Sequence, residues 1–417
     1  MKKNILHLLV LALLTAYGIW IFRQPGLFNF VQPSQATASR FTNLSKEVLL
    51  FVGAALFAIL MLGSRQNKAG FEQFSARTWL YGIGCILGIT TISVLIFNPI
   101  GAFYSWNIDN VVQRNPRLVK SYLYNRLKSV PDIVFLGTSV SYRIPAQKYA
   151  RGFSLSGFNY SVSGGSSIDY FTITNLILSR STPDQRPAVL VTEILSPSLA
   201  PSYNGIEYYT QFPFEAARYM PANFAYQDIS RHLEQLFTFS SFPQIMYVEY
   251  FTLTKQWVKV PTANTDGAGR VVNPIQQDAA YRRGVTYIGK DLNLLLRCKG
   301  LDPQGQDLIL QMATMSQKQH VSLVFYRSPI NDDFYAILGK DPKLYQPCEN
   351  RFNQFMERLQ AENPYVFFVD LSHYQPISSG GKALYLDSHH LNSAGSNLVL
   401  QVLKPTIQKA IDYARSH

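Results

Sequence analysis

Apolar residues are spread unevenly along this chain, and their run lengths divide it in two. Residues 5–22 (ILHLLVLALLTAYGIWIF), 48–63 (VLLFVGAALFAILMLG) and 79–100 (WLYGIGCILGITTISVLIFNPI) are long apolar stretches without formal charge. A bilayer core takes about 20 apolar residues per helix, so the first and third fit a membrane span and the second is short for one. Beyond residue 101 the runs shrink to the length of buried strands. They are DIVFLG ending at Gly137, AVLVTEIL from Ala188, VSLVFYRSP from Val321 and YVFFVDLS from Tyr365. Helical patterns fall around residues 118–127, 170–178, 307–319, 348–361 and 394–414. Strands alternating with helices predict an α/β fold, a doubly wound domain with a mostly parallel sheet. In such sheets ligands bind beyond the carboxyl ends of the strands, so the loops after these runs matter most.

The expected organisation is a membrane region over residues 1–101 with three transmembrane helices, followed by an extracytoplasmic domain over residues 102–417. Lys2 and Lys3 favour an inside N-terminus, and Arg65, Lys68 and Arg77 favour an inside second loop. Three spans then put everything after Asn98 outside the cytoplasm, on a multi-pass cell-membrane protein. A cleaved signal peptide in place of the first span leads to the same side, although no A-x-A-like site follows the apolar run. If the short second segment lies in the interface instead, the parity flips, an alternative kept open by Arg23, Arg40 and Lys46. Residues 197–299, rich in Tyr, Phe and Pro, are too long for a plain connection and read as an insertion. That insertion is a lid, a polymer-binding wall or simply a local core, with a mobile loop at TANTDGAGRVVN.

Composition narrows the class. With 47% hydrophobic and 15% charged residues, disorder over most of the chain is excluded. Three cysteines without a CxxC pair support neither a disulfide scaffold nor a zinc site. Export permits a Cys298–Cys348 disulfide, with two unrelated buried thiols as the other reading, while Cys85 falls in the third apolar stretch. The net charge of +12 fits binding to an anionic surface polymer or lipid head group, or basic loops flanking a membrane. No basic-aromatic nucleic-acid motif is visible, so no nucleic-acid partner is expected.

Three segments carry candidate chemistry. In VFLGTSVSYRIP, Gly137 ends a strand and Ser139 follows in a strand-to-helix turn, which sets a hydroxyl over the carboxyl edge of the sheet. Serine at such a turn also serves as a helix cap. In YLDSHHLNSAGSNLVLQVL, Asp387 and His390 stand three residues apart before a helix. A nucleophilic serine needs a neutral imidazole to take its proton and a carboxylate to fix the tautomer, and this one segment supplies both. In FNYSVSGGSSIDYF, Gly164 or Gly165 brings a backbone N–H toward an oxyanion. Arg143 and Arg327 lie near strand ends, where they either hold an anionic substrate or serve structure.

In this order the three segments resemble the SGNH (GDSL-type) hydrolase superfamily over roughly residues 131–413. The string D-S-H-H-L-N-S-A-G, close to that family's last block, is the most specific part. The resemblance implies Ser139 as nucleophile, His390 as base, Asp387 as its orienting carboxylate, and an oxyanion hole from the N–H groups of Ser139 and Gly164. Two departures stand out. Thr138 occupies the place of a common Asp, and VTEILSPS lacks the family's G-x-N-D block, leaving Glu193 and Ser196 near that place. Ser196 is the best substitute donor by position. The combination looks like the branch of membrane-anchored proteins that modify cell-surface polymers. It implies a serine O-acyltransferase or esterase acting on an extracytoplasmic polysaccharide, beside a membrane-bound O-acyltransferase partner and without metal or organic cofactor. The alternative is a non-catalytic polysaccharide-binding or scaffolding subunit that kept the fold.

Overall fold

The computed structural model describes residues 116–199, 212, 214–222, 224, 267–268, 278–296 and 300–417. Its helices are α1 (Pro116–Asn125), α2 (Ser167–Ser179), α3 (Asp278–Leu296), α4 (Pro303–Lys318), α5 (Gln346–Glu362) and α6 (Ser393–Ser416), joined by shorter turns. Its strands are β1 (Ile133–Leu136), β2 (Gly157–Asn159), β3 (Val189–Glu193), β4 (Ser322–Arg327) and β5 (Val366–Asp370). They form one sheet of order β2-β1-β3-β4-β5 in which every neighbouring pair is parallel. Near-continuous apolar sequence is what a strand covered on both faces requires. Accordingly β1, β3 and β4 are buried along their whole length.

Alternate residues of each strand feed opposite cores. Val134 and Leu136 of β1 join Ile173, Ile177, Ile309, Met312, Phe352 and Phe355, contributed by α2, α4 and α5. Ile133 and Phe135 point the other way, toward Val285 and Leu292 of α3 and Val399, Leu403 and Ile407 of α6. The period of two along a strand sends one set of side chains to each face, so the helices must cover both. The chain changes direction across the sheet between β1 and β3, the position where crevices open at the carboxyl edge.

Buried polar groups pin α1 and α2 behind that edge. Asp169 receives Arg117 through Nε at 2.7 Å and Nη2 at 2.8 Å, and it also closes a capping box with Ser166 at the start of α2. Both partners are fully buried, so removing either would strand a charge at a cost of about 3–5 kcal/mol.

One part of the expected fold class is corrected. Among the described residues no helix is long and apolar enough to cross a membrane. The reason is visible in the longest one: the 24-residue α6 buries Val399, Leu403, Ile407 and Ile411 on one side and exposes Lys404, Lys409 and Asp412 on the other. The apolar stretches 5–22, 48–63 and 79–100 lie outside the described residues, as does most of the expected insertion. The part of the insertion that is described includes α3, a regular helix where the sequence suggests irregular chain.

Candidate active site

The turn after β1 is shaped by a glycine. Gly137 has φ +147°, a region L side chains rarely adopt, and a Cβ there would come within 2.7 Å of the Glu193 Cβ. Ser139 follows two residues on and is half-buried. Its hydroxyl lies 2.7 Å from Nε2 of His390, 251 residues away in sequence. The other imidazole nitrogen of His390, Nδ1, lies 2.8 Å from Oδ2 of Asp387. An ionised carboxylate only accepts, so Nδ1 carries the proton and Nε2 is left to accept from the Ser139 hydroxyl. The structure thus brings Ser139, His390 and Asp387 into one hydrogen-bonded line.

Local folding explains how one short segment delivers two members of that line. Oδ1 of Asp387 accepts the backbone N–H groups of His389 (3.1 Å) and His390 (2.9 Å), which winds the chain into a tight turn. Asn392 then caps α6, accepting from the N–H groups of Ala394 and Gly395. Burial opposes the charge on Asp387, but the hydrogen bond and charge of His390 prevail and hold its pKa at about 2. Asp387 is therefore ionised at neutral pH, the state that fixes the imidazole tautomer.

Gly164 lies in the loop after β2 with φ +63°, and its carbonyl accepts from Nη2 of Arg117 at 3.5 Å. That loop is tied to the nucleophile turn by the Val162 N–H donating to the Gly137 carbonyl at 2.9 Å. Among the described residues, neither the Ser139 N–H nor the Gly164 N–H donates to a protein acceptor. Ser196 begins the turn Ser196–Leu199 after β3, and its buried hydroxyl has no partner among the described residues. Among the described residues no hydrogen bond joins it to Ser139.

The two arginines part ways. Arg327 is buried against Glu349 at 2.6 Å and Asp370 at 3.4 Å, which commits its charge to structure. Arg143 ends the short turn Ser141–Arg143, four residues past Ser139, and is half-buried without a hydrogen bond or ion pair among the described residues. Burial lowers its pKa, while the negative charge of Asp387 works the other way.

Sequence reasoning missed two supports of the site. Asn331 donates through Nδ2 to the Asp387 carbonyl at 3.0 Å, and its N–H donates to the Ser388 carbonyl at 3.1 Å. Its only sequence signal is that of a cap before Asp332 and Asp333. The hydroxyl of Tyr281 on α3 accepts from Asn331 Nδ2 and donates to Asp333 at 2.9 Å, which brings the insertion's helix up to the same segment. As for metals, Asp387, His389 and His390 offer ligand atoms within 4.8 Å of one another. The Asp387 carboxylate and His390 Nδ1 are already spent on each other, so this trio suits proton transfer better than a cation.

Comparison with known proteins adds little. No family model matches the chain, and no curated protein matches it. Among solved structures it is similar to the crystal structure of a candidate acylhydrolase from Bacteroides fragilis NCTC 9343. The identity is 12%, over 67% of this chain and 87% of that one, with a TM-score of 0.30. A likeness of that size leaves the function to the geometry of the site itself.

Proposed function

We propose that this protein is a serine acyltransferase or esterase of SGNH type, with Ser139 as nucleophile, His390 as general base and Asp387 as the orienting carboxylate. The observation that carries the reading is the continuous line from the Ser139 hydroxyl through His390 to Asp387, with hydrogen bonds of 2.7 and 2.8 Å. In the first half-reaction the Ser139 oxygen bonds to an acyl carbonyl carbon and its proton passes to Nε2 of His390. On this reading the N–H groups of Ser139 and Gly164 receive the developing oxyanion, each such donor being worth about 3 kcal/mol of transition-state stabilisation. The bond to the leaving group then breaks, and the leaving group takes the proton from His390. In the second half an acceptor hydroxyl, or water, gives its proton to His390 and bonds to the acyl carbon; the bond to the Ser139 oxygen breaks, and that oxygen takes the proton back from His390.

On this reading the acceptor is a hydroxyl of a cell-surface or secreted polysaccharide, an assignment that rests on the family resemblance. Arg143, which has no hydrogen bond or ion pair among the described residues and feels the charge of Asp387, supports an acceptor bearing negative charge. Location in an oxidising, extracytoplasmic compartment is supported by Cys348, which is engaged in a disulfide.

The test is covalent capture. The full chain treated with a fluorophosphonate should carry one adduct, located on Ser139 by peptide mass spectrometry. Ser139→Ala should lose it, and His390→Ala should slow it by at least roughly 10³-fold, because these residues act as a unit. A folded wild-type chain that resists the probe while still binding polysaccharide would return the protein to the scaffolding class.

A further inference from the structure

Glu193 is a fully buried carboxyl at the C-terminal end of β3, and the catalytic line does not use it. The pairing of Leu136 with Thr192 in the sheet sets Glu193 level with the turn that follows β1. Its Oε2 accepts both the backbone N–H and the hydroxyl of Thr138, each at 2.7 Å, with the Ser141 hydroxyl at 3.5 Å. Thr138 Oγ1 in turn accepts the Val140 N–H at 3.2 Å. The residues on both sides of Ser139 are therefore tied, directly or through one hydroxyl, to a single carboxyl oxygen. Ser141 extends the network to Ser161 at 2.9 Å, in the loop that leads to Gly164.

Resting on the serine reading above, we propose that Glu193 is a positioning residue, an acceptor whose Oε2 fixes the direction of the Ser139 N–H and hydroxyl through Thr138. Among the described residues, the titratable groups that face it are His390 and Tyr326. Burial raises its pKa, against the Thr138 hydrogen bonds and the charge of His390. Oε1 has no hydrogen-bond partner among the described residues, so the contacts of this carboxyl with the turn run through Oε2. A glutamine reproduces this arrangement, its amide oxygen taking the place of Oε2.

The experiment uses the full chain and three variants, read by the rate of fluorophosphonate labelling at Ser139 and by kcat and KM for p-nitrophenyl acetate from pH 5 to 9. Glu193→Gln should stay within about threefold of wild type with an unchanged pH profile. Glu193→Ala should lose on the order of 10²-fold in kcat and labelling with KM little changed, the size expected for a misaligned reacting group. Should Glu193→Ala fail to fold, Thr138→Val removes the bridging hydroxyl and should slow labelling about tenfold at an unchanged melting temperature. Three results would overturn the inference: wild-type labelling in folded Glu193→Ala, wild-type labelling in Thr138→Val, or Glu193→Gln as impaired as Glu193→Ala. A wild-type chain that never labels at Ser139 fails the serine reading itself, and is told apart by the wild-type control.

Discussion

His389 and His390 are adjacent, their rings 4.1 Å apart, yet the fold gives them different tasks. His390 turns one nitrogen to Ser139 and the other to Asp387, whereas His389 Nδ1 lies 3.0 Å from the Ser388 hydroxyl and 3.9 Å from Oδ1 of Asp387. Burial, together with the charge of His390, pushes the pKa of His389 from 6.5 down to about 3, with Asp387 opposing. The sign for stability follows. As pH falls through 6.5 the unfolded chain takes up a proton at this site, and the folded chain does not until about pH 3. Stability from a neutral His389 is thus lost on acidification across that window. The melting temperature of wild type should fall more steeply between pH 6.5 and 4 than that of His389→Gln; parallel curves would contradict the assignment. Glu193 contributes with the opposite sign but is common to both proteins, so the difference isolates His389.

At the scale of elements, α3 decides whether Asp387 stays in place. A Cβ on Gly284 would lie 3.3 Å from the Leu386 carbonyl oxygen and 3.5 Å from the Asp387 Cβ, so the helix backbone lies directly against the acid-bearing segment. A larger side chain there must push that segment away. Gly284→Leu should slow fluorophosphonate labelling of Ser139 about tenfold, while Arg282→Leu, on the exposed side of the same helix, should not. Equal rates in the two variants would remove α3 from the site. The helix itself was missed in the sequence, although Tyr281, Val285, Leu292 and Leu296 recur at helical spacing and all are buried. The aromatic and proline-rich chain around it hid that period. β2 was invisible for another reason, since three residues are too few to show an alternation. β1, β3 and β4 were plain because strands buried on both faces need uninterrupted apolar sequence. The residues of the candidate site were legible where their spacing is local, as in Asp387 and His390. The Thr138–Glu193 pair, 55 residues apart, leaves no local pattern to read.

At the scale of the molecule, the disulfide at Cys348 ties the buried face of α5 to a second point in the chain. Cys298, the partner considered from sequence, lies outside the described residues. A native disulfide contributes about 2–4 kcal/mol in a domain of this kind. Reduction should therefore lower the melting temperature by roughly 5–10 °C. Cys348→Ser should melt at the reduced temperature whether or not reductant is present, and an unmoved wild-type transition would count against a structural bond. The 251 residues between Ser139 and His390 have a consequence in time as well as in space. At about 5–20 residues per second, synthesis separates the two by roughly 10–50 s. Throughout that interval the growing chain holds a serine with no base beside it. On the function proposed above, reactivity switches on only when the segment bearing Asp387 and His390 closes against the finished sheet, so an incomplete chain is chemically silent toward acyl donors in its surroundings.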